Sequence, residues 1–372
     1  MNIRERVLSV LNHKKPDVVP WLGDLAYWIA YLNDDHLMPK KYQTNDSFTD
    51  KDLIELHKDL SVGFYLQGYF PFETKYDGVK VSHTSKDNLM ITEYETPYGT
   101  LREVNEYMTK SYCWAIKEHL IKNHLDLKAF EYLYESIYYK PSHDLVKKRS
   151  RVIGNQGIHL CYQPKSPFME MVALRAGIES VIYMQLDAPD QFDTLMKSME
   201  RKHDEAAKIT LQSSNECIMI PENISSEVVG KTNFEKYMRD YHEKWVTKIK
   251  EAGKFSFVHL DGTMKGLISE LSSTGFTVLE ALTPAPVGDI PIEDLHNWVE
   301  NETIIWGGLP GVYFTDHIGD QEFDEYVIRV LDVMKKEPRY VLGVADEVPP
   351  HASFERIKRV SELVNKYGKY ND

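Results

Sequence analysis

Cysteine is scarce: only Cys113, Cys161 and Cys217 occur, far apart in the chain. An odd, scattered set excludes a disulfide framework and fits a reducing compartment. None of the three has a partner at Cys-x-x-Cys spacing, so a local sulfur-rich metal site is not encoded. No apolar run approaches the ~20 residues of a membrane span. The opening MNIRERVLSVLNHKKPD reads as an amphipathic helix start without a signal-peptide core. Neither a Gly-x-Gly-x-x-Gly turn nor a Walker lysine loop is present, so nothing points to nucleotide binding. Positive charge is in deficit, with 44 Lys and Arg against 57 Asp and Glu and a formal net charge of -13. A surface this acidic repels phosphate backbones and anionic lipid, which argues against nucleic-acid and membrane partners. A cytoplasmic location is expected.

What is present is a large potential core. Apolar residues make up 42% of 372 residues, enough for one barrel with an insertion or for two smaller domains. The C-terminal half carries the clearer rhythm. Strands are expected at 217–220, 255–260, 277–282, 303–306 and 340–344. Helices are expected at 233–252, 267–272, 292–299, 323–336 and 353–367. Short apolar strands alternating with amphipathic helices imply parallel βα units, which bury both faces of their sheet. The expected fold is a (β/α)8 TIM barrel forming a single domain over residues 1–372, with a doubly wound sheet as the alternative. The N-terminal half is less regular. A helix is expected at 3–11, the first strands at 18–21 and 63–66, another helix at 117–138 and a strand at 152–160. Between them, residues 80–108 are rich in Thr, Tyr and Val around a Pro97-Tyr98-Gly99 turn. They read as an antiparallel β-hairpin or small meander, an insertion spanning roughly 74–125.

In a parallel barrel, chemistry sits at the C-terminal ends of the strands. Polar residues stand there repeatedly: Glu222 and Asn223, His259 and Asp261, Glu280, and Asp346 with Glu347. Strand pleating turns His259 and Asp261 to the same side. One imidazole with carboxylates from neighbouring strands is a plausible first shell for zinc or another divalent ion. The structural alternative is a hydrogen-bonded His-x-Asp pair with Glu280 and Asp346 as caps. Burying several carboxylates at one mouth is costly unless something compensates them, which favours a functional cluster. Aromatic residues, Trp21, Tyr27, Trp28, Tyr69, Phe70, Tyr162 and Trp306 among them, fall at or near the expected strand ends. They suit either rim packing or a pocket for a flat ligand.

Several stretches resemble the uroporphyrinogen decarboxylase superfamily: KKPDVVPWLGD, HLDG (259–262), GFTVLEALTPAPVGD (275–289), IIWGGLPG (304–311) and GVADEVPPHASFERIKRV (343–360). The resemblance implies a (β/α)8 barrel and two branches of activity. The decarboxylase branch carries an Arg-Gln-Ala-Gly-Arg motif after the first strand, whereas here Pro20 is followed by Trp21-Leu22-Gly23-Asp24. The corrinoid-dependent methyltransferase branch binds zinc through His-x-Cys and a later Cys. Here His259 matches, and Asp261 and Asp346 stand where the cysteines would be. An oxygen-rich site is harder and suits an ether, hydroxyl or amine better than a thiol. The stretch WAIKEHLIKNHLDLKAFEYL (114–133) is similar to ether-demethylating members. The resemblance therefore implies a methyltransferase moving a methyl group from a small methylated donor, an aromatic methyl ether, to cobalamin on a separate corrinoid protein. His259, Asp261, Glu280 and Asp346 are the expected zinc ligands, with Glu280 also a catalytic acid. Glu222, Asn223, Trp306 and Trp21 are the expected substrate contacts. The glycine- and proline-rich stretches 283–289 and 307–311 are expected to leave room for the corrin ring. A decarboxylase of another substrate and a non-catalytic corrinoid- or tetrapyrrole-binding barrel are the alternatives, and a homodimer is left open.

Overall fold

The computed structural model describes residues 1–43, 48–65 and 69–370. Leu66, the expected end of the second strand, lies outside the described residues.

Seven parallel strands form one curled sheet of mixed α/β, TIM-like character. They are β1 (Trp21–Leu22), β3 (Leu160–Tyr162), β4 (Cys217–Ile224), β5 (Phe255–Leu260), β6 (Val278–Leu282), β7 (Ile304–Pro310) and β8 (Tyr340–Ala345), hydrogen-bonded in the order β1-β8-β7-β6-β5-β4-β3. A further strand, β2 (Phe64–Tyr65), pairs in parallel with Gly157–Ile158, just ahead of β3. A parallel bridge joins Leu22 of β1 to Gly63 at the start of β2.

Side-chain parity shows which face of each strand looks inward. Leu160, Phe257, Val278, Ile304 and Val341 share one buried cluster with Val7, Val10 and Leu11 of the first helix. That helix, α1 (Ile3–Leu11), starts at an Asn2–Glu5 capping box, which satisfies its first free N–H groups. The next residues along, Val258, Leu279, Ile305 and Leu342, belong instead to the large cluster packed under the surrounding helices. The period of two therefore puts His259 on the inner face with Phe257, and Glu280 there with Val278.

Several expected elements shift. The 117–138 helix is instead an edge strand (Cys113–Glu118), a helix (Leu127–Glu135) and a strand (Ile137–Pro141). Both strands gain β partners: Cys113–Glu118 pairs with the preceding residues 104–108, and Ile137–Pro141 with the remote Phe72–Tyr76. Such pairing overrides the local helical pattern. The 80–118 region is a four-stranded antiparallel meander. The 152–160 strand begins later, because helix His143–Ile153 runs into it. The 233–252 helix is divided at Met238 into Ser226–Tyr237 and Arg239–Glu251. β7 runs on from Trp306 to Pro310 with every residue buried. Gly307 and Gly308 are thus sheet residues, not an open loop. A Cβ on Gly307 would meet the Leu282 carbonyl oxygen at 2.4 Å, and one on Gly308 would meet the Tyr340 hydroxyl at 2.4 Å. Both have positive φ, so glycine is required there by backbone and space together.

Two helices complete the frame around the site. α2 (Ala26–Asp34) follows β1, and α3 (Asp50–Leu60) precedes β2 with a Thr49–Asp52 capping box.

Candidate functional site

The inner face of the sheet carries a buried polar chain at the strand ends. The Tyr65 hydroxyl donates to Glu280 Oε1 at 2.8 Å. Glu280 Oε2 lies 2.6 Å from His259 Nδ1. A carboxylate only accepts, so Nδ1 carries the proton and Nε2 is the outward-facing nitrogen. His259 Nε2 looks toward Asp346 Oδ1 at 3.6 Å. Glu280 is fully buried and His259 is 6% exposed, whereas Asp346 opens to solvent. Strand register explains the contact, since His259 and Glu280 are direct neighbours on β5 and β6.

The charge around this imidazole is one-sided. Burial disfavours its charged form, but Glu280, by charge and hydrogen bond, and then Asp346 and Asp261 outweigh this and raise its pKa. Asp24, in the turn after β1, is pushed up to about 7 by burial, with Glu280 and Asp346 adding to it. Its carboxylate is held by the Ala26 N–H at 2.9 Å. Glu347 rises to about 9, again mainly by burial and then by repulsion from Asp24 and Asp346. Glu347 also accepts the Tyr27 N–H at 3.1 Å. Tyr65 rises well above the usual phenol range through burial and the neighbouring Glu280. Among the described residues, His259 is the sole basic group among the strongest charge partners of Asp24 and Asp346, and those of Glu347 are all carboxyl groups.

By donor type and charge, one imidazole amid oxygen donors fits a hard or borderline divalent cation. Among the described residues, no three His, Cys, Asp or Glu side chains converge closely enough to hold an ion as they stand. Both Glu280 oxygens are already engaged, by Tyr65 and by His259. Asp261 follows β5 and is exposed.

The remaining expected contacts are distributed differently. Glu222 is fully buried: it accepts from the Ser166 N–H at 2.9 Å and sits 2.6 Å from His242 Nε2. It thus anchors the turn after β3 rather than facing the mouth. Asn223, in left-handed backbone, accepts from Lys165 Nζ at 2.6 Å. Trp306 is fully buried inside the sheet, 4.8 Å from the Tyr65 ring and 5.7 Å from Phe257. Gly343 makes room for it, since a Cβ there would lie 2.7 Å from the indole. Trp21 is buried in the outer cluster and lines a cavity with Ser61 and Gly154, which precede their strands. Neither tryptophan forms a rim. Sequence reasoning did not single out Tyr65 or Lys165. Tyr65 ends the second strand, so the same search of strand ends that found His259 reaches it. Lys165 lies beyond β3, whose start was misplaced.

No curated protein matches the chain. Among solved structures, a methyltransferase from Methanosarcina mazei superposes with a TM-score of 0.65 over 99% of both chains, at 11% identity. That likeness establishes a shared fold. The family model for uroporphyrinogen decarboxylase (URO-D) matches residues 122–367, well over half of the chain, and covers β3 to β8 with His259, Glu280 and Asp346; the protein belongs to the uroporphyrinogen decarboxylase family.

Proposed function

We propose that this protein is a corrinoid-dependent methyltransferase, the substrate-side component of an O-demethylase that moves a methyl group from an aromatic methyl ether to cobalamin on a partner protein. The observation that carries the reading is the Tyr65–Glu280–His259 chain, which ends on His259 Nε2 turned toward Asp346 in a carboxyl-rich mouth. The absence of arginine after β1 weighs against binding a polycarboxylate, and the fold shared with a methyltransferase agrees with the branch chosen. In this reading the barrel closes into eight strands through β2, as one domain over residues 1–372 with the antiparallel meander inserted. The protein works in the cytoplasm.

His259 through Nε2, with Asp261 and Asp346, would hold zinc. Zinc supplies a Lewis acid for the leaving oxygen, and the partner's reduced corrinoid supplies the methyl acceptor. Glu280 fixes the imidazole tautomer and orientation from behind, as carboxylates do for metal-binding histidines. Tyr65 holds Glu280 in turn. Asp24 and Glu347 add two more carboxyl groups at the mouth, and a bound cation would favour their ionised forms.

The test is spectroscopic. Loss of cob(I)alamin absorbance is followed with zinc-loaded protein and a panel of methyl ethers, amines and thiols. Methylcobalamin should form with aryl methyl ethers and not with protein and ether alone. Formation from no donor sinks the reading and leaves the decarboxylase and binding-barrel alternatives.

A further inference from the structure

Two cavities, of ≈ 660 and ≈ 720 Å³, lie at the wrong end of the sheet for chemistry. Their walls include Gly154, Lys254, Thr277 and Thr303, which precede strands. A third cavity of ≈ 360 Å³ differs. It opens between α2, α3 and the ends of β1 and β2, and two of its walls belong to the candidate site: Asp24 and Tyr65. Tyr65 is the first member of the hydrogen-bonded chain that runs through Glu280 to His259.

The other walls are mostly apolar. Leu25, Ile29 and Ala30 come from the α2 side, Leu53 from α3, and Phe48 and Phe64 supply aromatic faces. Asn33 and His57 are the remaining polar side chains. His57 is fully buried and pushed down to about 4 by that burial, so it is a neutral imidazole near pH 7. Its Nδ1 is spent on the Val62 carbonyl. No lysine or arginine stands among the described residues of the wall. The pocket thus offers apolar contact, negative charge when Asp24 is ionised, and no cationic side chain among the described residues to receive an anion.

We infer that this pocket holds the body of the methyl donor, with its methyl-bearing end at Asp24, and that it selects small neutral or cationic aromatic donors against carboxylated ones. The volume is at the low end for small-molecule sites, which suits a single substituted ring. A carboxylate on that ring would be desolvated beside Asp24, with Glu280 and Asp346 within electrostatic reach. Such like-charge juxtaposition makes binding weaker by about 100-fold. The inference rests on the methyltransferase reading for what the ligand is, and on the cavity alone for where it binds and which charge it bears.

Equilibrium binding to the full chain separates these two bases. The probes are 1,2-dimethoxybenzene, phenyltrimethylammonium and 3,4-dimethoxybenzoate, followed by calorimetry. The first two should bind, and the benzoate should bind about 100-fold more weakly. Ala30→Trp, which fills the pocket from α2, should weaken the first two at least about 10-fold. Asp24→Asn should narrow the gap to the benzoate, which a purely steric pocket would not do. Equal or tighter binding of the benzoate overturns the charge selection, and unchanged binding in Ala30→Trp overturns the location. Binding of none of the probes overturns both. The methyl-transfer assay reports independently. Transfer that Ala30→Trp leaves at its original KM removes the pocket and keeps the methyltransferase, whereas pocket binding without transfer from any donor does the reverse.

Discussion

Two buried Tyr–Glu–His constellations of similar make-up stand in different electrostatic company. In one, Tyr134 donates to Glu170 Oε2, and His203 Nε2 lies 2.9 Å from the same carboxylate. Arg175 closes on the other oxygen at 2.8 Å. Burial works to raise Glu170, but Arg175 and then His203 outweigh it and hold the carboxyl well below its usual range. In the other, Tyr65, Glu280 and His259 repeat the arrangement without an arginine, and further carboxylates crowd the outer side. A buried charge that finds its counter-ion within the chain is complete, and its role is to hold the fold. Among the described residues the set around His259 has no arginine, its carboxyl groups outnumber the imidazole that balances them, and it faces the strand ends. It is poised to take a cation, a proton or a polar ligand. Charge balance, more than residue identity, separates anchor from site.

The contrast breaks most sharply under substitution of the two centres. His259→Ala should lower methyl transfer by about 10³-fold or more, with far-ultraviolet circular dichroism unchanged. Retention of full activity would remove His259 from the chemistry.

The anchor should respond in the opposite sense. Glu170→Gln leaves the part-buried Arg175 without its counter-charge and should cost about 2–4 kcal/mol in urea unfolding. Turnover per folded molecule should be unaffected. The pH dependence follows from the lowered carboxyl: the folded value lies below the unfolded one, so the stabilisation is fully present above the unfolded carboxyl range. It is lost as pH falls through the folded value. Between pH 7 and pH 3 the parent protein should therefore lose stability more steeply than Glu170→Gln, measured as urea midpoints at each pH. Parallel curves would show that Glu170 is not the coupled group.

A smaller effect tests how far the candidate site extends. Tyr65→Phe removes the hydroxyl on Glu280 Oε1 and leaves the ring on Trp306. Activity or zinc affinity should fall about 10- to 100-fold, the usual range for partners behind a metal-binding histidine. A loss of stability alone, with the same kcat and zinc affinity, would make Tyr65 a packing residue.

The legible part of the fold was the part governed by local pattern. β5 coincides with its expected range of 255–260, and β6 and β8 shift by one residue at one end, because apolar runs bounded by glycine, proline and charged residues mark buried parallel strands. The strand at Cys113–Glu118 was not legible. Its Ala-Ile-Lys-Glu run contains good helix formers, and pairing with the preceding strand makes it extended. In the site, His259 and Glu280 were found by asking which polar side chains end strands. The same rule makes Trp306 and Trp21 expected substrate contacts, yet one fills the inside of the sheet and the other packs outside it.

The sequence by itself determined the class of fold, the family and the acidic strand ends, since these depend on residue type and spacing along one dimension. It could not determine which carboxylates are neutralised. Glu170 and Glu280 look alike in the chain. Arg175 lies five residues from Glu170, whereas the groups around Glu280 come from β1, β2, β5 and β8, and distance in space sets the charge each carboxylate meets.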